Sequence, residues 1–240
     1  MNTPVDVIAD EKNKSVIICD WINRRVVRWS LENQHDIEIL IGNISCSRLT
    51  MNENGDLFVS DFENHAVKRW SKDEKGGKGT IVAGGNGQGS KLNQLNGPLA
   101  IFIDEEETIY VSDYRNNRVM KWLKGASEGI VVAGGQGQGN SLNQLDYPEG
   151  LLVNEVGDVY IADRRNHRIM CWPLGSNTGR VVAGGNGAGT GSHQLNNPTG
   201  LSFDVEKNLY VADFGNNRVQ RFRLDENKNK NEKILIKFNK

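Results

Sequence analysis

Residues 111–122 read VSDYRNNRVMKW, and near copies recur as IADRRNHRIMCW (161–172) and VADFGNNRVQRF (211–222). Looser versions, ICDWINRRVVRW (18–29) and VSDFENHAVKRW (59–70), precede them. The aspartates that mark the phrase, Asp20, Asp61, Asp113, Asp163 and Asp213, are spaced by 41, 52, 50 and 50 residues. A period in the forties to fifties signals a solenoid, a propeller or an array, and it governs how every smaller motif is read.

Within a unit the periodicity is that of strands. From Pro98 the apolar runs are 99–103, 109–111, 118–122 with apolar residues at alternate places, and 130–133. They are short, rich in β-branched and aromatic residues and separated by turn formers, which predicts four strands per unit and no helix of useful length. Repeated four-stranded units predict an all-β fold, a β-propeller whose blades bury both faces against neighbours.

A second phrase keeps the same beat: IVAGGNGQGSKLNQLNGPLA (81–100), VVAGGQGQGNSLNQLDYPEG (131–150) and VVAGGNGAGTGSHQLNNPTG (181–200). Its glycines lack the Gly-x-Gly-x-x-Gly spacing of a phosphate cradle, no Gly-Lys-Ser/Thr follows, and the next apolar run is too short for a helix. No nucleotide cofactor is expected. Glycine here permits the positive-φ turns that carry the chain from the outer strand of one blade to the inner strand of the next. Leu92, Leu95, Leu142, Leu145 and Leu195 are expected to pin this link.

The Asp-x-x-Asn-x-Arg-Val/Ile phrase ending in Trp or Phe resembles the NHL repeat. So do Asn-x-Pro-x-Gly-Leu at the start of unit five and Leu/Val-Tyr-Val/Ile-Ala-Asp on the second strand. The resemblance runs from Pro4 to about Phe222 and implies a β-propeller, in that family usually of six blades. Five units are legible, about 4–46, 47–97, 98–147, 148–197 and 198–240, with KILIKF (233–238) expected as the last outer strand. That count leaves either a five-bladed propeller or a six-bladed one lacking a blade. Unit two departs from the pattern. Ala66 stands where the others have Arg118, Arg168 and Arg218, and its link, EILIGNISCSRLTMN (38–52), lacks the glycine run and the proline.

Composition bounds the function. With 29 Lys and Arg against 30 Asp and Glu, the net charge of −1 gives no global field for nucleic acid or acidic lipid. Cys19, Cys46 and Cys171 are scattered and without Cys-x-x-Cys spacing, so no disulfide framework is expected. No apolar run reaches transmembrane length and the N-terminus enters a strand without a signal-peptide core; no membrane association and a cytoplasmic location are the expectation.

Residues present in every unit read as structure. Asp113 with Arg118, Asp163 with Arg168 and Asp213 with Arg218 are expected as cross-strand pairs, each worth about 0.2–1 kcal/mol. Trp29, Trp70, Trp122, Trp172 and Phe222 are expected between blades. Asn64, Asn116, Asn166 and Asn216 suit left-handed or Asx-turn positions.

Metal catalysis has its own test, because a peptide-amidating lyase and several lactonases use related propellers. Resemblance to that lyase leads one to expect histidine after the proline that opens certain inner strands, but Val5, Leu99, Glu149 and Thr199 stand there, with Ser47 at the degenerate place. His35, His65, His167 and His193 fall in turns or links, whereas zinc needs three or four ligands converging within about 2.0–2.3 Å. No metal and no cofactor are expected. A lyase or lactonase with Glu149 as its acid or base ranks last.

Variable positions on the constant frame are the candidates for function. Directly after the marker aspartates stand Trp21, Phe62, Tyr114, Arg164 and Phe214, followed in two units by Arg115 and Arg165. Aromatics and arginines in equivalent turns have the chemistry of binding hot spots. The expected function is a non-catalytic recognition scaffold that binds a protein or peptide through this loop face. Resemblance to the NHL modules of tripartite-motif ubiquitin ligases implies the same role. Single-stranded RNA on Arg115, Arg164, Arg165 and the neighbouring aromatics is the alternative.

Overall fold

A computed structural model describes residues 1–33, 35–73 and 77–224. The expected strand at 233–238 lies outside them.

The described residues form five antiparallel sheets, each a simple meander. The first holds β1 (Pro4–Asp10), β2 (Ser15–Asp20), β3 (Arg25–Ser30) and β4 (Ile37–Gly42), and the second β5 (Cys46–Met51), β6 (Leu57–Asp61), β7 (Ala66–Trp70) and β8 (Thr80–Gly84). The third holds β9 (Pro98–Ile103), β10 (Ile109–Asp113), β11 (Arg118–Trp122) and β12 (Ile130–Gly134). β13 (Pro148–Val153), β14 (Val159–Asp163), β15 (Arg168–Trp172) and β16 (Arg180–Gly184) make the fourth. The fifth has three described strands, β17 (Pro198–Phe203), β18 (Leu209–Asp213) and β19 (Arg218–Phe222). These are propeller blades and the fold is all-β, with helix confined to 3-10 turns such as Arg164–Asn166 and Phe214–Asn216.

Contacts divide the chain into two compact units. One comprises Met1–Arg115 with Met120–Ile130, the other Asn116–Val119 with the chain from Val131 onward. In the first unit β1 lies against β5 and β5 against β9; in the second β13 lies against β17. These junctions hold layers of aliphatic and aromatic side chains, joined at β1–β5 by the Leu49 N–H donating to Asp6 and at β5–β9 by Ser47 Oγ donating to Pro98 O. Trp70 closes the layer formed with Ile17, Val26, Leu49 and Val59, and Phe222 the layer formed with Ile169, Leu195, Leu209 and Val211. Trp122 closes the layer formed with Phe58, Val67, Ile109 and Val111, so Trp70, Trp122 and Phe222 lie between blades as their spacing predicts. Trp172 is equally buried, whereas Trp29 is only half-buried and joins none of these layers.

The marker aspartate is the hub of each turn. Asp163 is fully buried and accepts from the Asp146 N–H (2.7 Å), Asn166 Nδ2 (2.9 Å) and Arg168 Nε (2.6 Å). The rest of the Arg168 guanidinium donates to the carbonyls of Asn140, Ser141 and Gln144, while Asn166 Nδ2 also donates to Gly139 O. Asp213, Asn216 and Arg218 repeat the arrangement on Gly189, Thr190, Gly191 and Gln194. The cross-strand pair is therefore also a clasp on the glycine link. Gly134 begins one such link at φ +67°, where a Cβ would lie 2.6 Å from the Asn117 carbonyl oxygen. Only glycine fits there.

Three expectations are corrected. Leu95, Leu145 and Leu195 pin the link, but Leu92 and Leu142 are about half exposed (44% and 51%) and take part through their carbonyls, which accept from Gly129 and Gly179. The left-handed residues of the turns are His65, Asn117, His167 and Asn217, one place after the asparagines expected there. Asn64, Asn166 and Asn216 instead donate to the hub aspartates, which needs an amide in an ordinary backbone conformation. Cys19 and Cys46 form a disulfide, Cα to Cα 5.6 Å, whereas Cys171 is free and buried. Adjacent blades bring this pair together, so no spacing rule along the chain could find it.

Candidate functional site

The turns after the second strands are positioned by backbone bonds to the incoming link. Phe62 N–H donates to Ser45 O and Arg115 N–H to Asn96 O; in the second unit Arg165 N–H donates to Asp146 O and Gly215 N–H to Asn196 O. The residue just before each opening proline is held from the preceding turn. His65 Nδ1 accepts from Gly97 N–H, His167 Nδ1 from Asn197 N–H, and Asn117 Oδ1 from Tyr147 N–H. The two equivalent histidines are thus hydrogen-bond acceptors in the frame. Burial, and then the Arg115 charge, holds the His65 pKa below its usual value, favouring the neutral ring that can accept.

In the first unit Trp21 and Phe62 meet edge to face with centroids 5.5 Å apart, and the Arg115 guanidinium lies 5.1 Å from the Phe62 ring centre. Gly97 underlies this group at φ +63°. A Cβ there would come within 2.9 Å of the Phe62 ring. Tyr114 is half-buried in the adjoining turn and Arg115 is exposed.

In the second unit Arg164 lies 5.8 Å from the Phe214 ring centre and 3.1 Å from the Glu149 carboxylate, which is buried at the opening of β13. Arg165, exposed, lies only 4.1 Å above Tyr147. Phe214 itself is 63% exposed. Sequence reasoning missed Tyr147, although one signal was present: it is the only aromatic at the place before the proline, where Gly97 and Asn197 are its counterparts. Chemically these groups are rings capped by guanidinium, flat apolar faces beside fixed positive charge, a geometry worth about 0.5–1 kcal/mol per pair when exposed.

The sequence profile of the NHL repeat matches residues 145–172 and 195–222, the stretches that contain the hub aspartates Asp163 and Asp213 with Arg168 and Arg218. The chain carries NHL repeats. Among curated proteins no sequence match is found. Solved structures similar to this NHL-repeat chain include an auxiliary nutrient binding protein from Bacteroides thetaiotaomicron, at 18% identity and TM-score 0.69, covering 91% of this chain and 58% of that one. Streptogramin B lyase is similar at 14% identity and TM-score 0.60, covering 91% and 64%. A gluconolactonase from Xanthomonas campestris is similar at 15% identity and TM-score 0.64, covering 85% and 67%. The chain thus spans less than two thirds of the first two. At these identities the likeness is one of fold.

No group of three or more His, Cys, Asp and Glu able to hold a metal ion occurs among the described residues of the NHL repeats. Glu149, the one inner-strand acid considered for catalysis, is held in its ion pair with Arg164.

Proposed function

We propose that this chain is a non-catalytic recognition scaffold that binds a protein or peptide through the turns following the second strands. The observation that carries the reading is Arg165 stacked on Tyr147 at 4.1 Å beside the exposed Phe214, arginine and aromatic groups held ready by a hydrogen-bonded frame. Rings and guanidinium groups of this kind lose little entropy on binding, which is why they dominate interface energetics. The constant Asp, Asn and Arg of the fourth and fifth repeats are consumed in the clasp, and what varies is presented in the turn. Function on repeat scaffolds resides in such variable loops.

Retention of partners from a lysate by the intact chain, compared with Phe214→Ala, Arg165→Ala and Arg115→Ala singly and together, tests the reading. Circular dichroism and the thermal midpoint control for folding. A partner set unchanged by the triple variant overturns the assignment of binding to these turns.

Single-stranded RNA is the second reading, favoured by the exposed Arg115 and Arg165 lying on aromatic rings, since bases stack on such faces. RNA binding falls steeply with salt because phosphate contacts release counterions. A fluorescent RNA pool titrated at low and high salt separates the two readings.

A further inference from the structure

The joint between the first two blades is built unlike those of the second unit. Residues 185–197 link β16 to β17 and are gripped by Arg218 and Asn216, whereas only residues 43–45 link β4 to β5. There is no long link to grip, and Ala66 replaces the arginine that would do so. The Ile44 N–H, counterpart of the Asp146 and Asn196 N–H groups, goes to Arg24 O instead. Asp61 Oδ1 is thereby left buried without a hydrogen bond among the described residues. Three features that fasten the other joints are missing together.

The Cys19–Cys46 disulfide stands where they are missing. Cys46 takes the place of the opening proline, since it pairs in register with Asp61 as Pro148 does with Asp163 and Pro198 with Asp213. Cys19 is the residue before Asp20, a place held by Ser60, Ala162 and Ala212 in other blades. Both sulfurs are buried, and the 5.6 Å Cα separation is within the ordinary range for a disulfide, about 4.4–6.8 Å. The bridged residues also back the first-unit aromatic pair. Trp21 follows Cys19 by two residues, and Phe62 N–H donates to Ser45 O, next to Cys46.

We propose that this disulfide is the fastener of the first joint in place of the arginine clasp, and that its oxidation orders the Trp21–Phe62 turn. Its consequence, that binding through this turn responds to redox state, rests on the recognition reading above; the fastening itself does not. Glutathione disulfide suffices as oxidant. One cysteine thiolate attacks a glutathione sulfur and releases glutathione thiolate; the other attacks the mixed disulfide and releases the second. Two protein thiols become one disulfide, one glutathione disulfide becomes two thiols, and the two protons pass to glutathione. Burial of both sulfurs means that exchange occurs on the opened joint, so the folded bridge resists reduction.

The test uses the full chain equilibrated with excess glutathione disulfide or with a phosphine reductant. Alkylation in denaturant should label one thiol, Cys171, in the oxidised protein and three in the reduced one. Reduction should lower the thermal midpoint by on the order of 10 °C, given the loop closed by the bridge. Hydrogen exchange should accelerate at residues 20–24 and 62–65 and stay unchanged at 164–167. Cys46→Pro, which restores the residue of the other blades, should resemble the reduced protein and lose its response to reductant, while Cys171→Ser keeps the full response. Three labelled thiols after oxidation overturn the proposal, as does a reduced protein with unchanged midpoint and exchange. Equal acceleration at 164–167 overturns the local role. None of these readouts requires a partner, so failure of the recognition reading leaves them interpretable.

Discussion

Lys68 Nζ lies 2.8 Å from the carboxylate of Asp61, two residues beyond the place where the equivalent blades supply an arginine. Asp61 is fully buried, with Asn64 as its other donor. Lysine brings the charge but not the fork, which is enough here because the link that the fork grips elsewhere is short. Lys68→Ala should destabilise the protein by roughly 1–3 kcal/mol, the usual cost of leaving a buried acceptor unpaired. Lys68→Arg should recover most of that. Urea unfolding midpoints at pH 7 provide the comparison.

Arg168 should prove among the costliest single positions in the second unit. It joins Asp163 to three carbonyls of the glycine link and is itself almost fully buried. Arg168→Ala removes one partner of a buried ion pair, typically a loss of about 3–5 kcal/mol. Arg168→Met should not recover it, because length without the guanidinium leaves the carbonyls unmatched. Hydrogen exchange at Gly139 and Gln144, whose N–H groups bond within the link, should rise in both variants while β17 stays protected.

His65 sets a pH dependence with a definite sign. Its folded pKa is depressed by burial first and by the Arg115 charge second, against weaker opposing fields from Asp113 and Asp61. The unfolded chain therefore binds the proton more readily. Stability from this group is complete above the ordinary histidine pKa of about 6.5 and declines as pH falls through that value toward the folded one. Asn117 shows how to remove the titration while keeping the bond, since its Oδ1 accepts the equivalent N–H. His65→Asn should leave stability at pH 7.5 nearly unchanged and flatten the urea midpoint between pH 6.5 and 5.

Acid acts through the hubs as well, and not uniformly. Burial works against the charge of both Asp163 and Asp213; it prevails at Asp163, raising its pKa, whereas the hydrogen bonds from Asn196, Asn216 and Arg218 prevail at Asp213, lowering it. Asp213 thus contributes stability above the ordinary carboxylate range that disappears as pH falls through its folded pKa. Asp163 contributes in the opposite sense: its stabilisation is present below the ordinary range and lost as pH rises through the raised value. NMR titration of the two carboxyl carbons should give midpoints on opposite sides of the ordinary aspartate value.

The fifth blade differs from the fourth in one side-chain face. Val219 is 68% exposed where its counterpart Ile169 is fully buried. Ile169→Ala should cost about 2–4 kcal/mol and Val219→Ala less than about 0.5 kcal/mol. A comparable loss at both, measured by urea unfolding, would mean that Val219 is covered in solution.

Much of this architecture was legible in the sequence alone, for a physical reason. A blade needs an alternating strand, a turn and a buried ring at fixed offsets, so Asp163, Arg168 and Trp172 announce the same unit as Asp213, Arg218 and Phe222. Strand limits and the cross-strand Asp–Arg register depend on neighbours within one hairpin and could be read from spacing. Tertiary structure decided what depends on the meeting of different blades. The grip of Arg168 on residues 140–144, the stacking of Arg165 on Tyr147, and the bridge from Cys19 to Cys46 join groups 18 to 28 positions apart in sequence. The exposure of Val219, beside the burial of Ile169, was likewise decided by tertiary structure. A periodic sequence states the blade but not what lies against it, because burial is a property of the neighbour that the stacked chain supplies.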